Sequence, residues 1–230
     1  MDANRFLTRL ATRSALVLAT VLAASGVPAL CPAPAIAAGP DPVLDKPVFS
    51  RPLGSVAEQN AIFIQLGGII DRVPAGEEIQ MSWFHFSFSD VTDSATTPDI
   101  PGRLISAYQR GVRVKIIVDQ SSATGRPFQR LQPVLGSTDN ADSYIVHCAD
   151  RFPSQDRGCI GTRAIQYTDS TVTAYNHNKF LTASRIVLGT GASVSNVVFQ
   201  GSANLTWWDA NSRICAPTGT ARPATTTTTG

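Results

Sequence analysis

The sequence lacks an apolar run long enough to form a membrane-spanning helix, which needs about 20 apolar residues. The longest candidate, residues 15–24, is soon followed by Gly26 and Pro28. Three arginines precede this run and a small-x-small pattern ends at Ala37, an arrangement typical of a secretory signal peptide. We therefore expect residues 1–37 to be cleaved and the protein to be secreted, with no transmembrane segment afterwards. An uncleaved membrane anchor is the alternative.

The sequence also lacks a large charge of either sign. The full chain has 19 basic and 17 acidic residues, and the expected signal contains three arginines and Asp2, which leaves 16 of each. Proteins that bind nucleic acid by neutralising phosphates usually carry a basic excess. The overall charge therefore gives no support to nucleic acid as a partner, although a local basic patch stays compatible with it.

Cysteine is scarce, with four residues in 230. Cys31 lies in the expected signal, and Cys148 and Cys159 bracket a polar segment. In an oxidising compartment we expect these two to form a disulfide. Zinc is the alternative, but two cysteines without nearby Cys or His partners make a weak site. Cys215 is left over, which suggests a free thiol, an intermolecular bond or an incomplete chain.

Helical and strand patterns alternate after the expected signal. Residues 55–73 have apolar side chains at helical spacing behind a Ser-x-x-Glu start, and residues 78–88 alternate as a strand does. A second helix pattern covers 99–112 and runs into a buried strand pattern at 112–119. Strand, helix and strand with short connections favour parallel pairing.

The remaining chain continues with strand patterns and ends in a threonine-rich tail. The later strand candidates are 164–168, 177–184, 185–190 and 196–202, and residues 202–210 begin a turn or short helix. We therefore predict an α/β fold with a mixed, mostly parallel sheet and helices on both faces. The domain is expected to cover 38–212, and 213–230 to be a low-complexity tail.

One of only three histidines lies in the segment "HNKFLTAS". On a strand, His177 and Lys179 point to the same face, about 6 to 7 Å apart along the chain. The turn "GSAN" follows a later strand and can bring Ser202 and Asn204 beside them. Imidazole, ammonium, hydroxyl and amide groups together suit a phosphate. A lone His-x-Lys pair, however, is more often an ordinary surface pair.

The two segments "HNKFLTAS" and "GSANLT" resemble the His-x-Lys and Gly-Ser-x-Asn half-site of the phospholipase D superfamily. The upstream segments "PAGEEIQMSWFHFSFSD" and "RGVRVKIIVDQSS" are similar to the β-α-β opening of such a half, so the resemblance covers residues 48–206. It is nearest to secreted phospholipase D-like proteins of Gram-positive bacteria.

The resemblance implies a role for each matching residue. His177 is implied to be the nucleophile that forms a phosphohistidine, or its acid partner, and Lys179 to bind phosphate. Ser202 and Asn204 are implied to hold phosphate oxygens and to orient the lysine. The resemblance implies no metal or other cofactor, which agrees with the lack of a carboxylate–histidine cluster in the sequence.

The sequence departs from the superfamily pattern at three places. Ser184 stands where the motif has aspartate, and no acid stands about eleven residues past Asn204, since Asp209 has a different spacing. The superfamily active site takes two His-x-Lys half-sites, and neither His85 nor His147 supplies the second. Either the protein forms a homodimer, or it is the front half of a longer ancestor.

We therefore expect a secreted phosphodiesterase that cleaves a P–O bond, with a phospholipid as the favoured substrate. The alternatives are a dimeric endonuclease of the same superfamily and a truncated, catalytically inactive half-domain. Among the other polar residues near strand ends, we expect His85 to pack or hydrogen-bond within its strand and Asp119 to cap a turn.

Overall fold

The computed structural model describes residues 40–87, 93–148, 159, 165–166, 171–172, 175–206 and 209. The expected signal, the threonine-rich tail and Cys215 lie outside these residues, so those expectations stay predictions. The described helices are α1 (Val56–Gln59), α2 (Ala61–Asp71), α3 (Ile100–Gln109), α4 (Arg126–Leu135) and a 3-10 helix at Gln120–Ser122. The described strands are β1 (Glu78–Trp83), β2 (Arg113–Val118), β3 (Tyr144–His147), β4 (Ile165–Gln166), β5 (Thr171–Val172), β6 (Lys179–Val187) and β7 (Ser193–Gln200).

Five of these strands form one mixed sheet in the order β3-β2-β1-β6-β7. Strand β2 pairs in parallel with β1 and β3, whereas β6 is antiparallel to both β1 and β7. Helix α3 connects β1 to β2, so the predicted β-α-β unit is confirmed, and with it the α/β fold and the mixed sheet. Parallel and antiparallel pairs are equal in number in this sheet.

The apolar core lies between one face of the sheet and helices α2 to α4. Alternate residues of the strands point to this face, among them Ile79, Ile116 and Leu181, and all three are fully buried. The opposite face carries Gln80 and Ser184, which are exposed. Helices were expected on both faces. Among the described residues they cover the apolar face, because alternation in β1 and β6 leaves the other face polar.

Three local features differ from the sequence expectations. The helix predicted over 55–73 divides at Asn60, whose backbone ends α1 and begins α2, and the predicted Ser55–Glu58 capping box is present. The two strands predicted over 177–190 form the single strand β6. Helix α4 and strand β3 were not predicted, although α4 has apolar residues at helical spacing behind a proline in its first turn.

The predicted disulfide between Cys148 and Cys159 is present. Cys148 is buried at the end of β3. In the part of the chain that the structure describes, no helix is both long and apolar enough to cross a membrane.

Candidate functional site

The predicted site residues lie at one edge of the sheet because of the strand directions. Parallel strands β1 and β2 end at the same edge. Strand β6 is antiparallel to β1, with Lys179 opposite Trp83, so β6 begins where β1 ends. Strands β3 and β7 run in the same direction as β1 and β2. Five chain segments therefore meet there: those after β1, β2, β3 and β7, and the one before β6.

His177 and Lys179 are in contact at this edge. The Nζ atom of Lys179 lies 3.4 Å from Nδ1 and 3.3 Å from Nε2 of His177, and it also donates a hydrogen bond to the His177 carbonyl oxygen at 3.2 Å. Strand β6 begins at Lys179, so His177 lies just outside it. Lys179 is only 3% exposed, whereas His177 is exposed. The pair thus combines an accessible imidazole with a buried ammonium.

The surroundings of Lys179 lower its pKa. Burial lowers the pKa of Lys179, and the carboxylate of Asp209 partly offsets this by attraction. The Nζ atom also lies 5.2 Å from the ring centroid of Phe84, within the range of a cation–π contact. An ammonium that has lost most of its hydration gains from a bound anion, since desolvation strengthens the attraction.

The backbone just before His177 is held by a buried carboxylate. Asp119 follows β2 and is fully buried. Its Oδ1 accepts a hydrogen bond from the Ser121 N–H at 2.9 Å, and its Oδ2 accepts one from the Asn176 N–H at 2.8 Å. The predicted cap role of Asp119 is confirmed, because the first bond caps the 3-10 helix. The second bond was not predicted, and it fixes the residue before His177.

Asn176 itself joins β1 to the start of β6. Its Nδ2 donates to the Ser82 hydroxyl at 3.0 Å, and its Oδ1 accepts a hydrogen bond from Nδ2 of Asn178 at 2.7 Å. The carbonyl of Asn178 in turn accepts a hydrogen bond from the Phe84 N–H at 2.9 Å. Both neighbours of His177 are therefore tied to β1 or to the residue after it, which fixes the backbone that carries the imidazole.

The "GSAN" turn lies beside the same edge. The Gly201 N–H donates to the Lys179 carbonyl at 2.9 Å, and the Leu205 N–H donates to the His85 carbonyl at 2.9 Å. Ser202 is exposed and Asn204 is half-buried. The Oδ1 atom of Asn204 is buried and has no hydrogen-bond partner within the described residues. Backbone hydrogen bonds thus hold this turn beside Lys179 and His85.

An aromatic and imidazole cluster not predicted as part of the site completes this edge. The Phe84 ring lies 4.6 Å from the His177 ring and 3.8 Å from the His85 ring, measured between centroids. The Nδ1 atom of His85 lies 3.2 Å from the Ser121 hydroxyl. His85 therefore packs and hydrogen-bonds as expected, but it does so at the site. The strand predicted over 78–88 included His85, whereas β1 ends at Trp83, so His85 lies in the segment that follows β1.

Residues 73–213 match the family model described as "Cardiolipin synthase, PLD-like domain". The chain belongs to this phospholipase D-like family. It is also similar to a solved structure of a phospholipase D family member, Nuc from Salmonella typhimurium, at 19% identity over 66% of this chain and 68% of that chain, with a TM-score of 0.31. No curated protein matches the chain.

Ser184 stands where the phospholipase D motif has aspartate, and its contacts suit a serine. The hydroxyl donates a hydrogen bond to Oε2 of Glu77 at 2.6 Å and accepts one from the Glu78 N–H at 2.9 Å. An ionised aspartate can accept but cannot donate. Ser184 lies five residues after Lys179 on β6. Its hydrogen bonds to Glu77 and Glu78 link β6 to the start of β1.

Asp209 lies within electrostatic reach of Lys179, since its charge raises the pKa of that lysine. Its Oδ2 accepts a hydrogen bond from the Thr206 hydroxyl. The sequence spacing of Asp209 does not match that of the acid that orients the histidine. In the structure, the charge of Asp209 instead acts on Lys179. Among the described residues, no group of three or more His, Cys, Asp or Glu side chains could hold a metal ion.

Proposed function

We propose that this phospholipase D-like chain is a phosphodiesterase that cleaves a P–O bond of a phospholipid. The observation that carries the proposal is the contact between the exposed imidazole of His177 and the buried ammonium of Lys179. Such a pair offers a nucleophile and a cation to one phosphate group. The balance of 16 basic and 16 acidic residues after the expected signal makes nucleic acid the less favoured substrate.

In the first step, a ring nitrogen of His177 attacks phosphorus. The new N–P bond forms as the bond from phosphorus to the leaving oxygen breaks, and that oxygen takes the electron pair and a proton from the imidazolium of His177 in a second copy of the chain. When the phosphate binds, the ammonium of Lys179 contacts the phosphate instead of the His177 ring. A ring nitrogen of His177 is then free to attack. Ser202 and Asn204 hold phosphate oxygens, and the unpartnered Oδ1 of Asn204 accepts a hydrogen bond from Lys179 in the bound state.

In the second step, water attacks the phosphohistidine and gives a proton back to His177 of the second copy. The N–P bond breaks, a phosphomonoester leaves, and His177 returns to its starting form. With a phospholipid, the products are the free head-group alcohol and a phosphatidic acid. No metal or other cofactor takes part in this scheme, because His177 itself supplies the electron pair that attacks phosphorus and Lys179 the positive charge.

The test is hydrolysis of phosphatidylcholine vesicles and of bis(4-nitrophenyl) phosphate by the purified protein, with and without EDTA. The His177→Asn variant is expected to lose activity about a thousandfold or more, since loss of a covalent nucleophile has effects of this size. EDTA is expected to leave the rates unchanged. Ser195→Ala, an exposed change on β7, is the matched control. Full activity in His177→Asn would show that the proposed function is wrong.

We further propose that the protein is secreted and that two copies form a homodimer that completes the site. The disulfide between Cys148 and Cys159 supports an oxidising compartment. Sedimentation of the active protein tests the dimer, and an active species that is strictly monomeric contradicts it. Protein without activity toward vesicles, bis(4-nitrophenyl) phosphate or DNA would instead favour an inactive half-domain.

A further inference from the structure

We infer that a groove beside β7 holds the acyl chains of the phospholipid while its phosphate lies at the site, an inference that rests on the proposed function. A cavity of about 740 Å³ lies between residues 43–49, helix α2 and strand β7, and its lining continues along the chain to Ser202. Sites for small molecules have volumes of about 300 to 1,000 Å³ and are mainly apolar, with a few polar groups. We call this cavity the β7 groove.

The β7 groove follows the outer side of the sheet. Strand β7 is last in the strand order, and the described residues place no further strand beside it. Val197 and Val198 both line the groove, although neighbouring side chains of a strand point to opposite faces. The groove therefore runs along the strand and not over one face. Residues 194–200 span about 20 Å at about 3.3 Å each.

This length is sufficient for an acyl chain. The hydrocarbon core of a bilayer is about 30 Å thick, so one chain reaches about 15 Å. The floor of the groove is apolar, with buried Ile69 and Val197 and half-buried Phe199. Phe49 and Val198 also line it and are 77% and 66% exposed. Large apolar side chains exposed together mark a surface that binds an apolar partner.

One wall of the β7 groove is fixed before any ligand binds. The Val43 N–H donates to Oε1 of Gln65 at 2.9 Å, and the Val43 carbonyl accepts a hydrogen bond from Nε2 of Gln65 at 2.7 Å. Asp41 accepts a hydrogen bond from the Gly189 N–H, which lies between β6 and β7, at 2.8 Å. Residues 43–49 are therefore anchored at their start to α2 and near β7. A preformed groove has less conformational freedom to lose when a ligand binds.

The groove is continuous with the proposed phosphate site. The Gly201 N–H donates to the Lys179 carbonyl at 2.9 Å, and the next residue, Ser202, is exposed and lines the groove. In the proposed reaction the diacylglycerol part of the lipid stays bonded to phosphorus through the first step and leaves with it in the second. The head group departs toward the second copy. The β7 groove takes the part that remains bonded to phosphorus.

The proposed second copy does not compete for the β7 groove. It has to meet the site at the edge where β1 and β2 end, whereas the groove follows the side of β7. Two copies paired through β7 across a twofold axis would have antiparallel strands. Their two half-sites would then lie at opposite ends of the joined sheet. Such a pair could not complete a site, so the groove stays available to the lipid in the active dimer.

The test compares dibutyroyl- and dihexanoylphosphatidylcholine below their critical micelle concentrations, so that no lipid surface takes part. For wild type, kcat/KM is expected to rise by about tenfold or more from the shorter to the longer lipid, since burial of one methylene strengthens binding about fourfold. For the double variant Phe49→Gln, Val198→Gln, the rise is expected to be less than about threefold. Its rate with bis(4-nitrophenyl) phosphate, which has no acyl chain, is expected to change much less than its rate with the longer lipid.

Val56→Gln is the matched control, because Val56 is 55% exposed and does not line the groove. It is expected to keep the wild-type rise, and near-ultraviolet circular dichroism checks that each variant is folded. Equal rises in wild type and the double variant, or loss of the rise in Val56→Gln, would overturn the acyl groove and leave the proposed function standing.

Other occupants of the groove give different results. A wild type that cleaves bis(4-nitrophenyl) phosphate but shows no rise between the lipids would overturn the acyl groove and favour an extended peptide along β7. A lower sedimenting mass of the double variant would overturn it in favour of a contact between copies. A wild type that cleaves neither the lipids nor bis(4-nitrophenyl) phosphate would overturn both the groove and the proposed function.

Discussion

Oδ2 of Asp119 accepts a hydrogen bond from the backbone N–H of Asn176 at 2.8 Å, across 57 residues of sequence. Asp119 is fully buried, and its other oxygen accepts the bond from Ser121. The end of β2 is thereby joined to the residue before His177. Stability and site geometry depend on the same carboxylate.

Asp119→Asn is expected to lower the free energy of unfolding by about 1.5 to 3 kcal/mol, because hydrogen bonds to a buried charge contribute this much. An amide can accept one of the two bonds, but its NH₂ group then faces the other N–H. Urea denaturation measures the loss, with Asp139→Asn as an exposed control. An unchanged midpoint for Asp119→Asn contradicts the prediction.

Lys179→Met is expected to separate stability from activity. Because burial holds the folded pKa of Lys179 below its ordinary value of 10.5, the unfolded chain binds more protons at pH values between the two. Wild-type stability therefore rises with pH through that interval. Lys179→Met lacks this dependence, so it is expected to be as stable as wild type or more stable at neutral pH.

The stability advantage of Lys179→Met is expected to shrink as the pH approaches 10.5. Activity is expected to fall by about 10²- to 10³-fold, as for loss of one group that stabilises a developing charge. Chemical denaturation across the pH series and diester hydrolysis measure the two effects. A variant that is strongly destabilised at neutral pH would show that the lysine is mainly structural.

Ser184→Asp is expected to destabilise the protein at neutral pH, although it restores the motif residue. Hydrogen bonds from Ser184 and then from Arg185 lower the pKa of Glu77, so this stabilising effect is present above the ordinary value of 4.5 and is lost as the pH falls. An aspartate places a second negative charge beside Glu77, and its destabilising effect should diminish in acid.

Thermal unfolding at neutral pH and near pH 4.5 checks the Ser184→Asp prediction. Ser184→Ala is the control, because it removes the hydrogen bonds without adding charge, so its deficit relative to wild type should shrink less in acid than that of Ser184→Asp. If Ser184→Asp unfolds at a higher temperature than wild type at neutral pH, repulsion from Glu77 does not control the stability of variants at position 184.

Removal of the Cys148–Cys159 disulfide is expected to cost about 2 to 4 kcal/mol, because the bond closes a short loop and restricts the unfolded chain. The double change to alanine avoids leaving a polar hydroxyl where Cys148 is buried. Denaturation with and without reductant measures the effect. Reductant should destabilise wild type and leave the double variant unchanged, and a wild type insensitive to reductant contradicts the prediction.

Local pattern was sufficient for much of the fold. The alternation of β1 and the helical spacing of α3 are properties of neighbouring residues, so the β-α-β unit could be predicted. Helix α4 also had such a pattern, with Phe128, Leu131 and Leu135 on its buried side, and was missed. The division at Asn60 was not visible, because a capping box precedes it and apolar residues at helical spacing follow it, and both patterns indicate helix.

By itself, the sequence determined the candidate chemistry. His177 and Lys179 are only two residues apart, so their side chains can meet without a contact from elsewhere in the fold. Only the tertiary structure decided what surrounds them. The bond from Asn176 to Asp119 spans 57 residues, and that from Ser121 to His85 spans 36. Such contacts arise where strand ends meet at one sheet edge, and no periodicity along the chain encodes which side chains face each other there.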